Sequence, residues 1–171
     1  MEILFFLGHV LKTVFFCILD ENFFTIMMIS TRGRYAIRVM IDLAEQGSSN
    51  YIRLKDISER QDISLKYLEN ITTSLSKAGL IEGVHGRGGG YKLNRAPEEY
   101  KIREILTVTE ESLAPVACLE CGAKVCERKS ICRTLPMWEK LYKTVCDFFD
   151  SYTLADLIKK KPDFGYFNAS L

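Results

Sequence analysis

The sequence predicts a mainly α-helical protein with one small β-hairpin, and three observations support this fold class. Apolar residues recur at helical spacing in several short segments that polar turns separate. Two short strand candidates flank residues 85–90, a run of six that holds four glycines. Near the C-terminus a longer segment repeats apolar residues at intervals of three and four, which predicts a long helix.

Residues 30–45 predict the first helix. Ser30 or Thr31 can cap its amino end, because a hydroxyl oxygen accepts a hydrogen bond from a free backbone amide. Arg32 and Arg34 follow in the first turn. Two interpretations of these arginines remain open: contact with a phosphate backbone, which positions a protein on a nucleic acid, or simple solvation.

Residues 54–60 and 64–77 predict two more helices, joined by a turn at 61–63. Ser64 is a natural N-cap for the second helix, and Gly79 suits the left-handed conformation that ends it. One face of that helix is apolar, with the members Leu65, Leu68, Ile71 and Leu75. Two short helices around a tight turn form a helix-turn-helix, whose second helix enters the major groove of DNA.

The polar face of that second helix carries the side chains that can read DNA. Lys66 and Tyr67 can contact phosphates. Ser64, at the same end of the helix, is a further candidate DNA contact. Glu69 can accept a hydrogen bond from a cytosine amine, and Asn70 can pair with adenine. An ordinary amphipathic helix with a solvated face is the alternative, which the helical pattern alone does not exclude.

The hairpin favours the DNA-binding interpretation. Its strand candidates are residues 80–84 and 91–93, and the glycines between them permit a tight turn. Arg87 lies at the tip, where a guanidinium can enter a narrow minor groove, and His85 begins the turn. No helix follows the glycines in the order that a dinucleotide site requires. Helices and hairpin together predict a winged helix-turn-helix domain.

A cysteine-rich loop follows at residues 112–132, interrupted by Pro115 and Gly122. Four cysteines there have the pattern C-x2-C-x4-C-x5-C: Cys118, Cys121, Cys126 and Cys132. In a chain without a convincing secretory signal, such density favours thiolate ligation over disulfides. Thiolates ligate iron–sulfur clusters and structural zinc, and a ligand-free redox pair of thiols is the third alternative.

The C-terminal helix is predicted to begin near Leu135, with Pro136 in its first turn. Its apolar positions form a heptad seam: Leu135, Trp138, Tyr142, Val145, Phe149 and Tyr152. Such a seam packs against a second copy of the helix, whereas packing on the chain's own domain is the alternative. Cys146 lies off the seam, and a buried inert thiol is its default interpretation. A final helix is predicted over residues 153–160.

Residues 1–26 do not match the remainder of the chain. They are rich in Phe, Leu and Ile, but His9 and Lys12 interrupt the apolar run of about 20 residues that a membrane helix needs. Glu2 and the lack of a small-residue cleavage site argue against a signal peptide. We interpret residues 1–26 as an extension upstream of a true translation start at Met27 or Met28, with a membrane anchor as the alternative.

Composition gives weaker guidance. The formal net charge is +1, but residues 27–95 hold 11 Lys/Arg against 7 Asp/Glu, an excess of four. This basic bias weakly favours a nucleic-acid partner. No paired acid–base set and no nucleotide motif accompany the two histidines, so no enzyme is predicted.

Several segments resemble the IscR/NsrR/CymR family of bacterial winged-helix regulators, over roughly residues 27–160. They are Thr31-Arg32-Gly33-Arg34-Tyr35-Ala36, Asp56-Ile57-Ser58-Glu59-Arg60-Gln61, Ile63-Ser64-Leu65, Tyr67-Leu68-Glu69 and Gly88-Gly89-Gly90-Tyr91. The resemblance implies a homodimer that binds double-stranded DNA at a near-palindromic operator. It also implies that Glu69 helps choose between operator types, and that His85 stands where the IscR branch has a wing arginine.

The resemblance also separates the metal alternatives. Cluster-binding members place three cysteines just before the long helix, and Cys126 and Cys132 match the last two. The first is Cys118 or Cys121, and the spare cysteine is a candidate fourth ligand. The positions of the family's histidine and aspartate ligands hold other residues here, Leu135 and Arg34. An iron–sulfur cluster, 2Fe–2S or 4Fe–4S, is the predicted cofactor, with zinc as the alternative.

The predicted function is a cytoplasmic DNA-binding transcriptional regulator, chiefly a repressor, that senses iron–sulfur status, redox conditions or nitric oxide. A cluster-free CymR-like regulator of cysteine metabolism and a zinc-stabilised protein-interaction module are the alternatives. The predicted organisation has five parts: an extension at 1–26, a DNA-binding domain at 27–97, a linker helix and cysteine loop at 98–134, dimerisation and terminal helices at 135–161, and a tail at 162–171.

Overall fold

The computed structural model describes residues 29–47, 50–84, 86, 88–110 and 112–159. Within these ranges the elements are α1 Thr31–Glu45, α2 Leu54–Gln61, α3 Leu65–Lys77, β1 Ile81–Val84, β2 Gly90–Leu93, α4 Ile102–Thr109, α5 Leu135–Asp150 and α6 Leu154–Lys159. Short 3-10 turns lie at Pro97–Glu99, Ala117–Leu119 and Lys129–Ile131. The predicted fold class, mainly α with one small hairpin, is confirmed.

Serine hydroxyls cap the two helices that carry most of the predicted DNA contacts, α1 and α3. Ser30 Oγ accepts from the amide of Gly33 at 3.1 Å, which caps α1. Ser64 Oγ accepts from the amide of Tyr67 at 3.4 Å, which caps α3. Between α2 and α3 the chain turns through Asp62 in the left-handed conformation, with φ 52°. Both predicted caps are therefore present.

Glycines set the geometry at both ends of the hairpin. Gly79 takes φ 71° directly after α3, and the amide of Leu80 then bonds to the carbonyl of Leu75 at 2.9 Å. β1 and β2 pair antiparallel, from Ile81–Leu93 to Val84–Gly90. A Cβ at Gly90 would lie 2.3 Å from the carbonyl oxygen of Ile52, so only glycine allows that close approach.

The core lies between α1, α3, α4 and α6 and under the hairpin. Its largest fully buried members are Tyr100, Met40, Leu43, Ile57, Leu68, Ile71, Leu75, Leu80, Ile105, Leu106, Leu154 and Val39. The Tyr100 hydroxyl donates to the carbonyl of Leu80 at 2.8 Å and accepts from the amides of Asn94 and Arg95 at 3.1 Å. A buried hydroxyl with all its partners fixes the base of the hairpin to the core.

Helix α5 stands partly free of this core, and none of its residues is fully buried. It ends at Asp150, so Tyr152, the last position of the predicted seam, lies beyond the helix. Thr153 then caps α6, and Leu154 and Ala155 enter the core. Among the helices of the described part of the chain, none has the length and apolar character needed to cross a membrane.

Candidate nucleic-acid interface and cysteine loop

The amino end of α1 and the polar face of α3 form one groove of about 400 Å³. Arg32 lines it from α1, and Tyr67, Asn70, Thr73 and Ser74 line it from α3. The guanidinium of Arg32 donates to Ser74 Oγ at 2.6 Å. Predicted DNA contacts from two separate segments, Arg32 on one side and Tyr67 and Asn70 on the other, therefore lie on one surface.

The other predicted contacts on α3 differ in their freedom to reach a ligand. Lys66 and Glu69 are exposed, as is Asn70. Tyr67 is half-buried and packs edge-on against Tyr35, with ring centroids 5.7 Å apart. Because the Ser64 hydroxyl already accepts from the backbone, its first role here is to cap the helix.

The three remaining predicted DNA contacts are Arg34, His85 and Arg87, of which Arg34 is not among the described residues that line this groove. Arg34 is exposed at the start of α1, and its guanidinium donates to Thr31 Oγ1 at 3.0 Å. His85 and Arg87, at the tip of the hairpin, lie outside the described residues. The predicted role of the wing tip thus stays a prediction.

A buried acid that sequence reasoning missed holds the helix-turn-helix against α1. Asp42 is 2% exposed and accepts from Arg60 Nε at 3.0 Å, Arg60 Nη2 at 2.6 Å and Gln61 Nε2 at 2.9 Å. This hydrogen bond to Asp42 is the main cause that raises the pKa of Arg60. Arg38 Nε donates to Gln61 Oε1 at 3.1 Å, which fixes the same corner from α1. The available signal was the position of Asp42 within the apolar face of the helix.

The cysteine loop places three of its four thiols around one cavity. Cys118, Cys126 and Cys132 line a cavity of about 150 Å³ at the start of α5, together with Glu139. Cys121 lines a different cavity. Among the described residues, no three ligating side chains converge as a preformed metal site. Three cysteines therefore line one cavity, but in the described part of the chain their side chains do not form a closed ligand set.

Cys132 lies directly before α5 and has a hydroxyl neighbour. Its sulfur lies 3.5 Å from Thr134 Oγ1. Hydrogen bonds from the Thr134 hydroxyl, and then from the backbone of Thr134 and Leu135, lower the pKa of Cys132, with a smaller contribution from the charge of Arg128. The free amides at the start of α5 therefore stabilise the thiolate, the form that ligates metals.

A larger cavity of about 620 Å³ lies between α4, the cysteine loop and α5. Cys121, Tyr142, Cys146 and Arg103 are among the residues that line it. Burial is the main cause that raises the pKa of Tyr142, followed by the neighbouring Cys146. Cys146 is half-buried and lines this cavity, so the expectation that its thiol is buried is wrong.

The predicted dimer seam divides between two environments. Phe149 and Tyr152 pack against the chain's own core, and Tyr142 lines the larger cavity. The remaining predicted seam positions are half-buried: Leu135, Trp138 and Val145. Met137 and Phe148, which the seam did not include, are 54% and 56% exposed. One edge of the helix therefore contacts its own domain, while another remains apolar and open.

Comparison with known proteins decides the family. A model of the Rrf2 family, described as an iron-dependent transcriptional regulator, matches residues 29–160. The chain belongs to the Rrf2 family. The chain is accordingly a DNA-binding transcriptional regulator, and the relatives it matches are regulators rather than enzymes.

The relatives include proteins named IscR and a protein named CymR. IscR of Erwinia tasmaniensis is 36% identical, over 79% of this chain and 81% of its own. The solved structure of T. potens IscR is 37% identical, with a TM-score of 0.60, and covers 77% of this chain and 86% of its own. The solved structure of CymR of B. subtilis, titled the global cysteine regulator, is 31% identical, with a TM-score of 0.65. The match covers 79% of this chain and 98% of the CymR chain.

Proposed function

We propose that this member of the Rrf2 family is a homodimeric repressor, acting in the cytoplasm, whose operator affinity is set by an iron–sulfur cluster in the cysteine loop. The observation that carries the proposal is the shared cavity of Cys118, Cys126 and Cys132. Its thiols lie at the amino end of α5, the helix proposed to pair with a second copy. A cluster there would connect the cysteine loop, which senses the signal, to α5, which is proposed to set the arrangement of the dimer.

The donor set of this cavity fits a cluster. Three cysteines and Glu139 line the cavity and would hold the cluster, and Lys124 and Lys129, which also line it, would supply compensating positive charge. A volume of about 150 Å³ corresponds to roughly five water molecules, enough for a small inorganic group. We therefore assign Cys118, rather than Cys121, as the first ligand and Glu139 as the fourth. When bound, the cluster supplies a redox-active centre whose loss removes a constraint on the loop.

The resemblance to both IscR and CymR leaves a cluster-free regulator of cysteine metabolism as the second candidate. CymR of B. subtilis supports it by its name and by its cover of 79% of this chain. The cavity with three cysteines favours the cluster, because cysteine thiolates are the usual ligands of iron–sulfur clusters. Zinc on the same thiols is the third candidate, since zinc also takes sulfur ligands.

For DNA, we propose that each protomer reads one half of a near-palindromic operator through the groove between α1 and α3. Asn70 and Glu69 are assigned to base edges, and Arg32, Lys66 and Tyr67 to phosphates. Half-sites lie about 34 Å apart when two recognition helices enter successive major grooves. Cluster loss changes affinity only if the two dimer states differ in how they present these helices.

The dimer is proposed to form through the open apolar edge of α5. Replacing Val145 with glutamate places a charge in that edge and should convert the dimer to a monomer in light scattering. Lys140→Glu, on the exposed side of the same helix, is the matched control and should leave the dimer intact. Unchanged mass for Val145→Glu would remove α5 from the interface.

Anaerobic purification followed by iron, sulfide and zinc analysis tests the cluster assignment. We expect a brown protein, loss of iron in Cys118→Ser and Cys132→Ser, and retention in Cys121→Ser. A gel shift on the gene's own promoter should separate holo from apo protein in affinity. A colourless protein with stoichiometric zinc would overturn the cluster and leave the DNA assignment in place.

A further inference from the structure

Two thiols face one cavity away from the proposed cluster site. Cys121 enters from the loop, where it is exposed, and Cys146 enters from α5, where it is half-buried. Their cavity, of about 620 Å³, is distinct from the smaller cavity that the other three loop cysteines line. Tyr142, one turn before Cys146, is close enough to both for their charges to bear on its pKa.

A fixed cation lies beside one of these thiols. The hydrogen bond with Cys146 is the largest of the causes that raise the pKa of Arg103. Arg103 Nε also donates to Asp150 Oδ1 at 2.9 Å, which fixes the guanidinium at the wall of the cavity that Cys146 lines. A guanidinium beside a cysteine stabilises the thiolate, the nucleophilic form.

We propose that Cys146 is an oxidation site and Cys121 its resolving thiol, so that hydrogen peroxide links the cysteine loop to α5 through a disulfide. The Cys146 thiolate attacks one peroxide oxygen, the O–O bond breaks, and the departing hydroxide takes a proton to become water. The Cys121 thiolate then attacks the sulfur of the sulfenic acid, the S–O bond breaks, and a second water leaves. Two thiols lose two electrons, and one peroxide gains them.

The disulfide closes a ring from residue 121 to residue 146. Cys126 and Cys132, two of the proposed cluster ligands, lie inside this ring, and Cys118 lies three residues before it. Oxidation should therefore slow cluster assembly, a consequence that rests on the proposed function. The thiol chemistry itself does not, since it involves none of the other three loop cysteines.

The first test uses the reduced, metal-free full chain. It is treated with limiting hydrogen peroxide, alkylated, and mapped by mass spectrometry without reduction. We expect a loss of two hydrogen atoms and one linked pair of peptides, containing Cys121 and Cys146. Cys121→Ser should leave a sulfenic acid on Cys146 that dimedone captures, whereas Cys126→Ser, the matched control, should still form the disulfide. A product that pairs other loop cysteines instead would overturn the proposal.

The second test concerns Arg103. Arg103→Gln should slow disulfide formation about tenfold, because the thiolate loses its cation. Asp150→Asn removes the other partner of Arg103 while keeping the guanidinium, and should change the rate less than about twofold. Equal rates in Arg103→Gln and the parent protein would refute the role of the cation. If Cys121→Ser loses iron, Cys121 is a cluster ligand and the proposed pair of Cys121 and Cys146 is overturned. If the protein binds no iron at all, the proposed function fails, but both tests of the thiol pair remain valid.

Discussion

Replacing Arg60 with alanine should destabilise the fold by stranding the carboxylate of Asp42. The carboxylate is 2% exposed and would keep only the 2.9 Å bond from Gln61. Removing one partner of a buried ion pair costs about 3–5 kcal/mol in well-enclosed cases. Since the Arg60 side chain is 36% exposed, solvent already screens the pair, and we expect about 2–3 kcal/mol.

A second substitution separates a stranded charge from a lost contact. Asp42→Asn in the Arg60→Ala background removes the charge but keeps the volume and the bond to Gln61. We therefore expect the double variant to be more stable than Arg60→Ala alone, by about 1 kcal/mol. Arg53→Ala breaks an exposed pair with Asp56 and serves as the control, with no measurable loss of stability expected.

Urea unfolding followed by circular dichroism at one protein concentration measures these differences, because dimer formation makes stability depend on concentration. If Arg60→Ala unfolds at the same midpoint as the parent chain, the pair contributes nothing. If Asp42→Asn fails to relieve Arg60→Ala, the loss came from contacts other than the buried charge. Either result would refute the reasoning from burial.

Three further predictions concern reading, helix start and pH. Asn70→Ala should weaken operator binding about tenfold or more in fluorescence anisotropy at fixed salt, whereas Lys77→Ala, exposed at the other end of α3, should not. Glu110 accepts from the amide and hydroxyl of Ser30 at 3.2 and 2.9 Å, so Glu110→Ala should cost about 1–2 kcal/mol and speed amide exchange at the start of α1. Hydrogen bonds from Thr153 hold the pKa of Asp156 below its ordinary 3.8. The stability this gives is present above that value and lost as pH falls through the folded pKa, so Asp156→Asn should flatten the acid limb of thermal melts.

Local signals explain why most of the fold could be predicted from the sequence. Ser30 and Ser64 were identified as caps because an N-cap depends on residues within one turn. Gly79 was identified because a left-handed residue after a helix favours glycine. The heptad pattern found α5, but it placed Tyr152 in the helix, which ends at Asp150. Periodicity continues past a helix end whenever the next segment also needs apolar residues on the core side.

Contacts between distant segments explain what could not be predicted. The partner of Asp42 comes from a different helix, and nothing near it in sequence indicates a bond to Arg60. The spacing of the cysteines left Cys118 and Cys121 equivalent, because a loop of this length can present either one. Only the packing of the loop against α5 sends them to separate cavities. Phe149 contacts its own core for a related reason: the apolar arc of α5 is wider than one seam.

The position of Glu110 shows how a change in the cysteine loop can reach DNA. It is the last residue described before the loop resumes at Ser112, and its carboxylate is bound to Ser30, the cap of α1. Two residues beyond that cap lies Arg32, which contacts Ser74 on the recognition helix. In the proposed mechanism, a loop released from its cluster displaces Glu110. The contacts of Glu110 with Ser30 and of Arg32 with Ser74 then transmit this displacement to α1 and α3. A Cβ at Gly33 would lie 2.0 Å from the Glu110 carboxylate, so only glycine allows this carboxylate to bind so close to the start of α1.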